Sequence, residues 1–190
     1  MELTNSVAES DIEVYNLEEL WDERTVTEFD IEPFLHEGLM LREEEFRNHV
    51  KEYDWQQHED EHVAVFCSTD AIVPTWAFML IASKLDGVAH TVTHGREADV
   101  LRDYYVRALA DEDWSHYEDD IVVVKGCGGE VVPTSAYLTA TRKLQGVARK
   151  LMFGEPCSSV PLWRRSREQK QPQAEAAGVK KPDLPKPSQQ

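Results

Sequence analysis

Apolar positions in the middle of the chain fall into short unbroken β-branched runs and longer helical stripes. His62 to Phe66 and Ile121 to Lys125 read as strands buried on both faces. Each run breaks into a loop that reaches a proline, Pro74 or Pro133. Proline suits the first position of a helix, because no backbone donor is needed there and its φ is already helical. The spacing predicts helices to about Leu85 and Leu144, with Gly87 and Gly146 as stops. Second strands then run from Val88 to about Thr93 and from Val147 to about Phe153. Between them, Val100, Leu101, Tyr104, Tyr105 and Ala108 share one side of a further helix, Glu97 to Ala110. Upstream, Thr25 to Ile31 alternates as a short strand that Pro33 ends, and Leu41, Phe46 and Val50 mark one helical face over Leu41 to Tyr53. Leu17, Leu20 and Trp21 have the spacing of a single docked turn.

The two strand-helix-strand stretches are copies of one pattern. Asp54 to Gly95 aligns with Asp113 to Gly154 without a gap, with sixteen identities in forty-two positions. Matches include Asp54 with Asp113, Trp55 with Trp114, Pro74-Thr75 with Pro133-Thr134, Gly87-Val88-Ala89 with Gly146-Val147-Ala148, and Gly95 with Gly154. Crossovers through helices of this length force parallel pairing with right-handed connections, so the class is α/β. The expectation is one Rossmann-like parallel sheet built from two duplicated β-α-β units, with an N-terminal strand and helix added. Counting only the four repeat strands, a pseudo-twofold gives the order 2-1-3-4 and a crevice where the chain order reverses. Residues 1–24 then form an acidic N-terminal extension, 25–164 one α/β domain, and 165–190 a disordered tail. Past Trp163 the Arg, Lys, Gln, Ala and Pro content cannot offset the entropy of ordering.

Composition narrows the setting more than the activity. The 190 residues with 41% hydrophobic content suit one domain with tails. A net charge of -16 argues against nucleic acid and against anionic membrane surfaces, and favours a cationic partner or a salt-rich cytoplasm. No apolar run approaches the roughly 18 residues of a membrane span, and the start has no signal-peptide pattern, so a cytoplasmic protein is expected.

The three cysteines, Cys67, Cys127 and Cys157, lack the spacing of a secreted disulfide scaffold. Cys67 ends the first strand, Cys127 lies one residue past the equivalent position in its copy, and Cys157 follows the fourth strand. In one parallel sheet these exits share an edge. Three thiolates with His94, which closes the second strand, make a tetrahedral zinc set, and the thiolates alone could hold an iron-sulfur cluster. Two other readings stay open: thiols buried as small hydrophobes, and one reactive thiol activated by a helix N-terminus. Ser68-Thr69-Asp70 and Gly126-Cys127-Gly128-Gly129 also lead into helix starts that attract anions, but neither has P-loop spacing. His58-Glu59-Asp60-Glu61-His62 matches H-E-x-x-H, yet it runs into a strand, where the two histidines share no helical face. Trp55 and Trp114 are expected as packing anchors.

The segments Val65 to Ala77, Lys125-Gly126-Cys127 with Val132-Pro133, and Met152 to Leu162 resemble a bacterial family catalogued as domain of unknown function 2480. The likeness spans roughly residues 5 to 164 and names no reaction, since function resides in the site and not in the fold. Genes of that family often neighbour those for sulfur mobilisation and iron-sulfur assembly. The resemblance therefore implies a protein partner from the iron-sulfur assembly machinery. Beside the metal-binding reading stand a non-catalytic partner-binding protein with structural cysteines and a thiol-dependent small-molecule enzyme.

Overall fold

The β-branched runs of the two copies build two sheets. The computed structural model describes residues 12–126 and 131–166. Cys127, residues 1–11 and the chain from 167 onward lie outside the described residues. The strands are β1 (Ile12–Tyr15), β2 (Val26–Asp30), β3 (His62–Phe66), β4 (Thr91–His94), β5 (Ile121–Val124), β6 (Lys150–Glu155) and β7 (Ser158–Arg164). The helices are α1 (Glu43–Glu52), α2 (Thr75–Leu85), α3 (Glu97–Asp111) and α4 (Thr134–Val147). One sheet has the order β2-β3-β4 and the other β1-β5-β6-β7. All pairs are parallel except β6 with β7. No helix among the described residues is long and apolar enough to cross a membrane.

The mixed α/β class therefore holds, whereas the single sheet of order 2-1-3-4 does not form. β3 and β5 are not neighbours. The edge of β3 away from β4 is taken by β2, with Val26 opposite His62, and the edge of β5 away from β6 is taken by β1, with Ile12 opposite Ile121. With both edges satisfied by N-terminal strands, no ladder is left to join the copies, and the expected crevice between them is absent. β1 falls inside the stretch read as an extension, and it is a full member of its sheet.

The two aligned stretches nevertheless run through the same elements with the same bonds. Asp54 and Asp113 each accept a backbone N–H two residues on and open a 3-10 turn. Asp60 and Asp119 share a left-handed φ of 61, and their N–H groups donate to Val88 O and Val147 O, both at 3.0 Å. Trp55 packs at 5.2 Å from the Phe29 ring on β2, and Trp114 at 5.3 Å from the Tyr15 ring on β1. Trp55 lies in the core of its half, and Trp114, half-buried, packs against the core of the other. The helical stop differs: Gly87 has the positive φ of such a position, but Gly146 lies within α4.

Each sheet has its own apolar core. Phe46 and Val50 of α1 pack with Val63, Val65, Ala77, Ile81 and Leu85. Tyr105 and Leu109 of α3, which precede the second copy by as many residues as Phe46 and Val50 precede the first, pack with Val122, Val124, Ala140, Leu144 and Leu151. Each valine, leucine, isoleucine or phenylalanine among these contributes roughly 1.5–3 kcal/mol on burial. α3 also lies against β2, β3 and β4 and against α4, so one helix serves both sheets. β7, unanticipated from the pattern, returns through a Pro156-Cys157 turn and carries Pro161. A residue with no N–H to donate is tolerated there because β7 is an edge strand.

Candidate metal centre

Of the expected ligands, Cys67 and His94 lie on paired strands of the first sheet and Cys157 belongs to the second. Cys67 leaves β3 of the first sheet, half-buried, with its Sγ 3.4 Å from Thr69 Oγ1. Cys157 sits exposed in the turn between β6 and β7 of the second sheet. His94, at the end of β4, is exposed and meets the Phe78 ring edge-on at 4.8 Å. The shared edge assumed for these residues required one sheet, and there are two. Among the described residues, the donors that gather are instead Asp22, His62 and His90, whose ligand atoms all lie within 4.8 Å of one another.

This group forms at the amino-terminal end of β2, β3 and β4. His62 opens β3 with its side chain fully buried. Its Nε2 lies 3.0 Å from Asp22 Oδ1 and its Nδ1 2.7 Å from Thr91 Oγ1, the first residue of β4. Trp21 lies against the imidazole at 5.0 Å between ring centres, and Tyr104 of α3 meets it edge-on at 5.6 Å. Asp22 owes its place to the 3-10 turn Leu17–Leu20, where Tyr105 OH donates to Leu17 O at 3.1 Å and Tyr104 OH to Leu20 O. His90 is held by its backbone, whose N–H donates to Glu61 O at 2.8 Å. Its Nε2 reaches 3.6 Å from Asp22 Oδ2.

Around these donors lies a compensated charge set. Arg24 donates from Nη1 to Asp22 Oδ2 at 2.8 Å and from Nε to Asp60 Oδ1 at 2.9 Å. Asp60 Oδ1 also stands 3.7 Å from His90 Nδ1. Burial pushes the Asp22 carboxyl up, but hydrogen bonds from His62 and Arg24 outweigh it and hold the group below the usual carboxylate range. The carboxylate is thus ionised near neutrality, as a ligand must be.

The spacing suits a metal ion. Two ligand atoms each about 2.0–2.1 Å from one tetrahedral ion stand roughly 3.3 Å apart. Asp22 Oδ1 stands 3.0 Å from His62 Nε2 and the other oxygen, Oδ2, 3.6 Å from His90 Nε2, on either side of that value, and one ligand atom from each of the three residues lies within 4.8 Å of the others. Thr91 could supply the outer contact that metal-bound histidines keep: with an ion on Nε2 in place of that nitrogen's hydrogen bond to Asp22, the Thr91 hydroxyl would accept from Nδ1–H.

The aligned positions in the other copy cannot do this. His62 aligns with Ile121 and His90 with Arg149. Divergence between the copies was the available signal, but one histidine belonged to the discounted H-E-x-x-H stretch, and Asp22 lies outside the repeat. His58, its partner in that motif, lies apart, bonded to Tyr53 OH at 3.0 Å.

Among families of known sequence, the one described as "Protein of unknown function (DUF2480)" matches residues 1–165, and the chain belongs to it. No curated protein and no solved structure matches the chain.

Proposed function

We propose that this member of the DUF2480 family binds a divalent first-row transition metal, zinc being the simplest case, through Asp22, His62 and His90. The observation that carries the reading is the convergence of three donors within 4.8 Å on a wholly buried imidazole whose second nitrogen already has a partner. Two imidazoles and one carboxylate suit zinc, iron or manganese better than calcium or magnesium, which prefer oxygen. With three protein ligands the ion keeps open positions, which is the arrangement of reactive metal sites and not of closed structural ones. The test is metal content of the full chain after dialysis against zinc. One ion per chain is expected, lost in His90→Ala and retained when all three cysteines become serine.

The thiol reading stands second. Two free thiols, one half-buried and one exposed, at the carboxyl ends of β3 and β6 favour it. With Cys127 and His94 they would hold zinc or an iron-sulfur cluster, and a partner in iron-sulfur assembly would follow from that. Iron, sulfide and visible colour in anaerobically purified chain, abolished by Cys157→Ser, are its expected results. Colourless, iron-free protein with freely titratable thiols counts against it.

A further inference from the structure

Charge and exposure at the metal centre are uneven. His62 is closed off by Trp21, Tyr104 and Thr91, whereas the His90 side chain is 39% exposed and that of Arg24 is 32% exposed. His90 and Arg24 are thus side chains through which the group meets solvent. Its guanidinium spans Asp22 and Asp60, and Asp60 is mostly in water. With neutral imidazoles, the two carboxylates exceed the one guanidinium by a single negative charge. A dication reverses that sign, leaving one excess positive charge at a partly open site.

We propose that the ion held by Asp22, His62 and His90 takes an oxyanion, a small carboxylate or a phosphate, as a further ligand, and that Arg24 holds the anion's second oxygen. The inference rests on the metal reading above. A cation on Asp22 would withdraw electron density from the carboxylate that accepts Arg24 Nη1, weakening that bond and making the guanidinium available to an anion. Guanidinium is planar and presents paired N–H groups at the spacing of carboxylate or phosphate oxygens. One oxygen on the metal and one on Arg24 is a two-point grip that neither group offers alone. Were Arg24 only a surface tie between the Asp22 loop and Asp60, it would contribute little and would not affect anions.

Cobalt(II) is the probe, because its visible absorption changes when a ligand enters its coordination shell. The cobalt-loaded full chain is titrated separately with acetate and with inorganic phosphate in a non-coordinating buffer. Saturable change with acetate alone assigns a carboxylate ligand, and with phosphate alone or more tightly, a phosphate. In either case Arg24→Gln should raise the half-saturating concentration about tenfold or more, the loss of a charged hydrogen bond, and Arg24→Lys should fall between. Cobalt binding that neither anion perturbs, or anion affinity unchanged in Arg24→Gln, overturns the co-ligand and leaves the metal reading intact. Failure of the chain to take up cobalt at all overturns both.

Discussion

His62 donates from Nε2 to Asp22 Oδ1 at 3.0 Å, tying the first residue of β3 to the segment that carries the chain from one sheet to the other. β1 belongs to the second sheet and β2 to the first, so Asp22 lies on the crossing between them. The bond therefore serves the junction of the two halves as well as the metal centre. Because His62 is fully buried, His62→Ala removes partners from both Asp22 and Thr91. A loss of about 2–4 kcal/mol is expected from a cavity and two unpaired polar groups. Urea unfolding of the metal-free chain measures it, and a change below about 1 kcal/mol would show that the pair is not structural.

Acid should loosen the same junction. The Asp22 carboxyl titrates below its ordinary range in the folded chain, so folding is favoured when it is ionised. Its contribution is complete above the unfolded value of about 3.9 and is lost as pH falls through the lower folded value. Unfolding free energy measured from pH 6 downward should fall less steeply below about pH 4 in Asp22→Asn than in the parent chain. Parallel curves would contradict the assignment.

The second half carries an uncompensated group that the first half avoids. Among the described residues, Tyr15 OH and Trp114 Nε1 are buried without a hydrogen-bond partner, whereas Trp55 Nε1 donates to Val50 O at 2.8 Å. Burial, first of all, and the nearby Glu112 raise the Tyr15 pKa well above normal. At the equivalent place β2 has Phe29, opposite Val65 as Tyr15 is opposite Val124. Tyr15→Phe removes a buried hydroxyl with no bonding partner among the described residues, and stability should stay level or rise by up to about 1 kcal/mol. Thermal unfolding decides, and a drop of more than about 1 kcal/mol would mean that the hydroxyl has a partner, such as a bound water.

Gly95 follows the fourth strand and Gly154 lies next to last in the sixth, with φ of 128 and 122, a region that side chains resist. A Cβ on Gly154 would stand 2.7 Å from the Ser158 carbonyl oxygen, and one on Gly95 would strike the Asp99 carboxylate. Alanine at either position should cost about 1–3 kcal/mol. Gly87→Ala is a useful comparison, since its φ of 72 is also positive but no atom lies within 4 Å of the added carbon. Gly87→Ala should be the mildest of the three in chemical denaturation, and the reverse ranking would contradict the contact argument.

What could be read from the sequence was local. The valine-rich runs at His62 and Ile121, the prolines before α2 and α4, and the helix from Glu97 follow from periodicity and turn chemistry. Strand pairing does not follow from those signals. It was decided by β1, four residues of which one is the charged Glu13, and by β2, whose alternation says nothing about its partner. A short edge strand in an acidic stretch carries little hydrophobic pattern, yet by occupying the edge of β5 it keeps the copies in separate sheets. The candidate site shared that fate. Cysteines draw attention by chemistry alone, whereas Asp22 and His62 become a pair only through the turn that α3 fastens beside β3.

X-ray absorption at the zinc edge of the zinc-loaded full chain tests the metal assignment most directly. Ligation by His62, His90 and Asp22 predicts nitrogen and oxygen scatterers at about 2.0–2.2 Å, with the outer-shell pattern of two imidazoles and no sulfur. Sulfur scattering at about 2.3 Å, abolished by Cys157→Ser and unaffected by His90→Ala, would place the metal on the thiols and contradict the account.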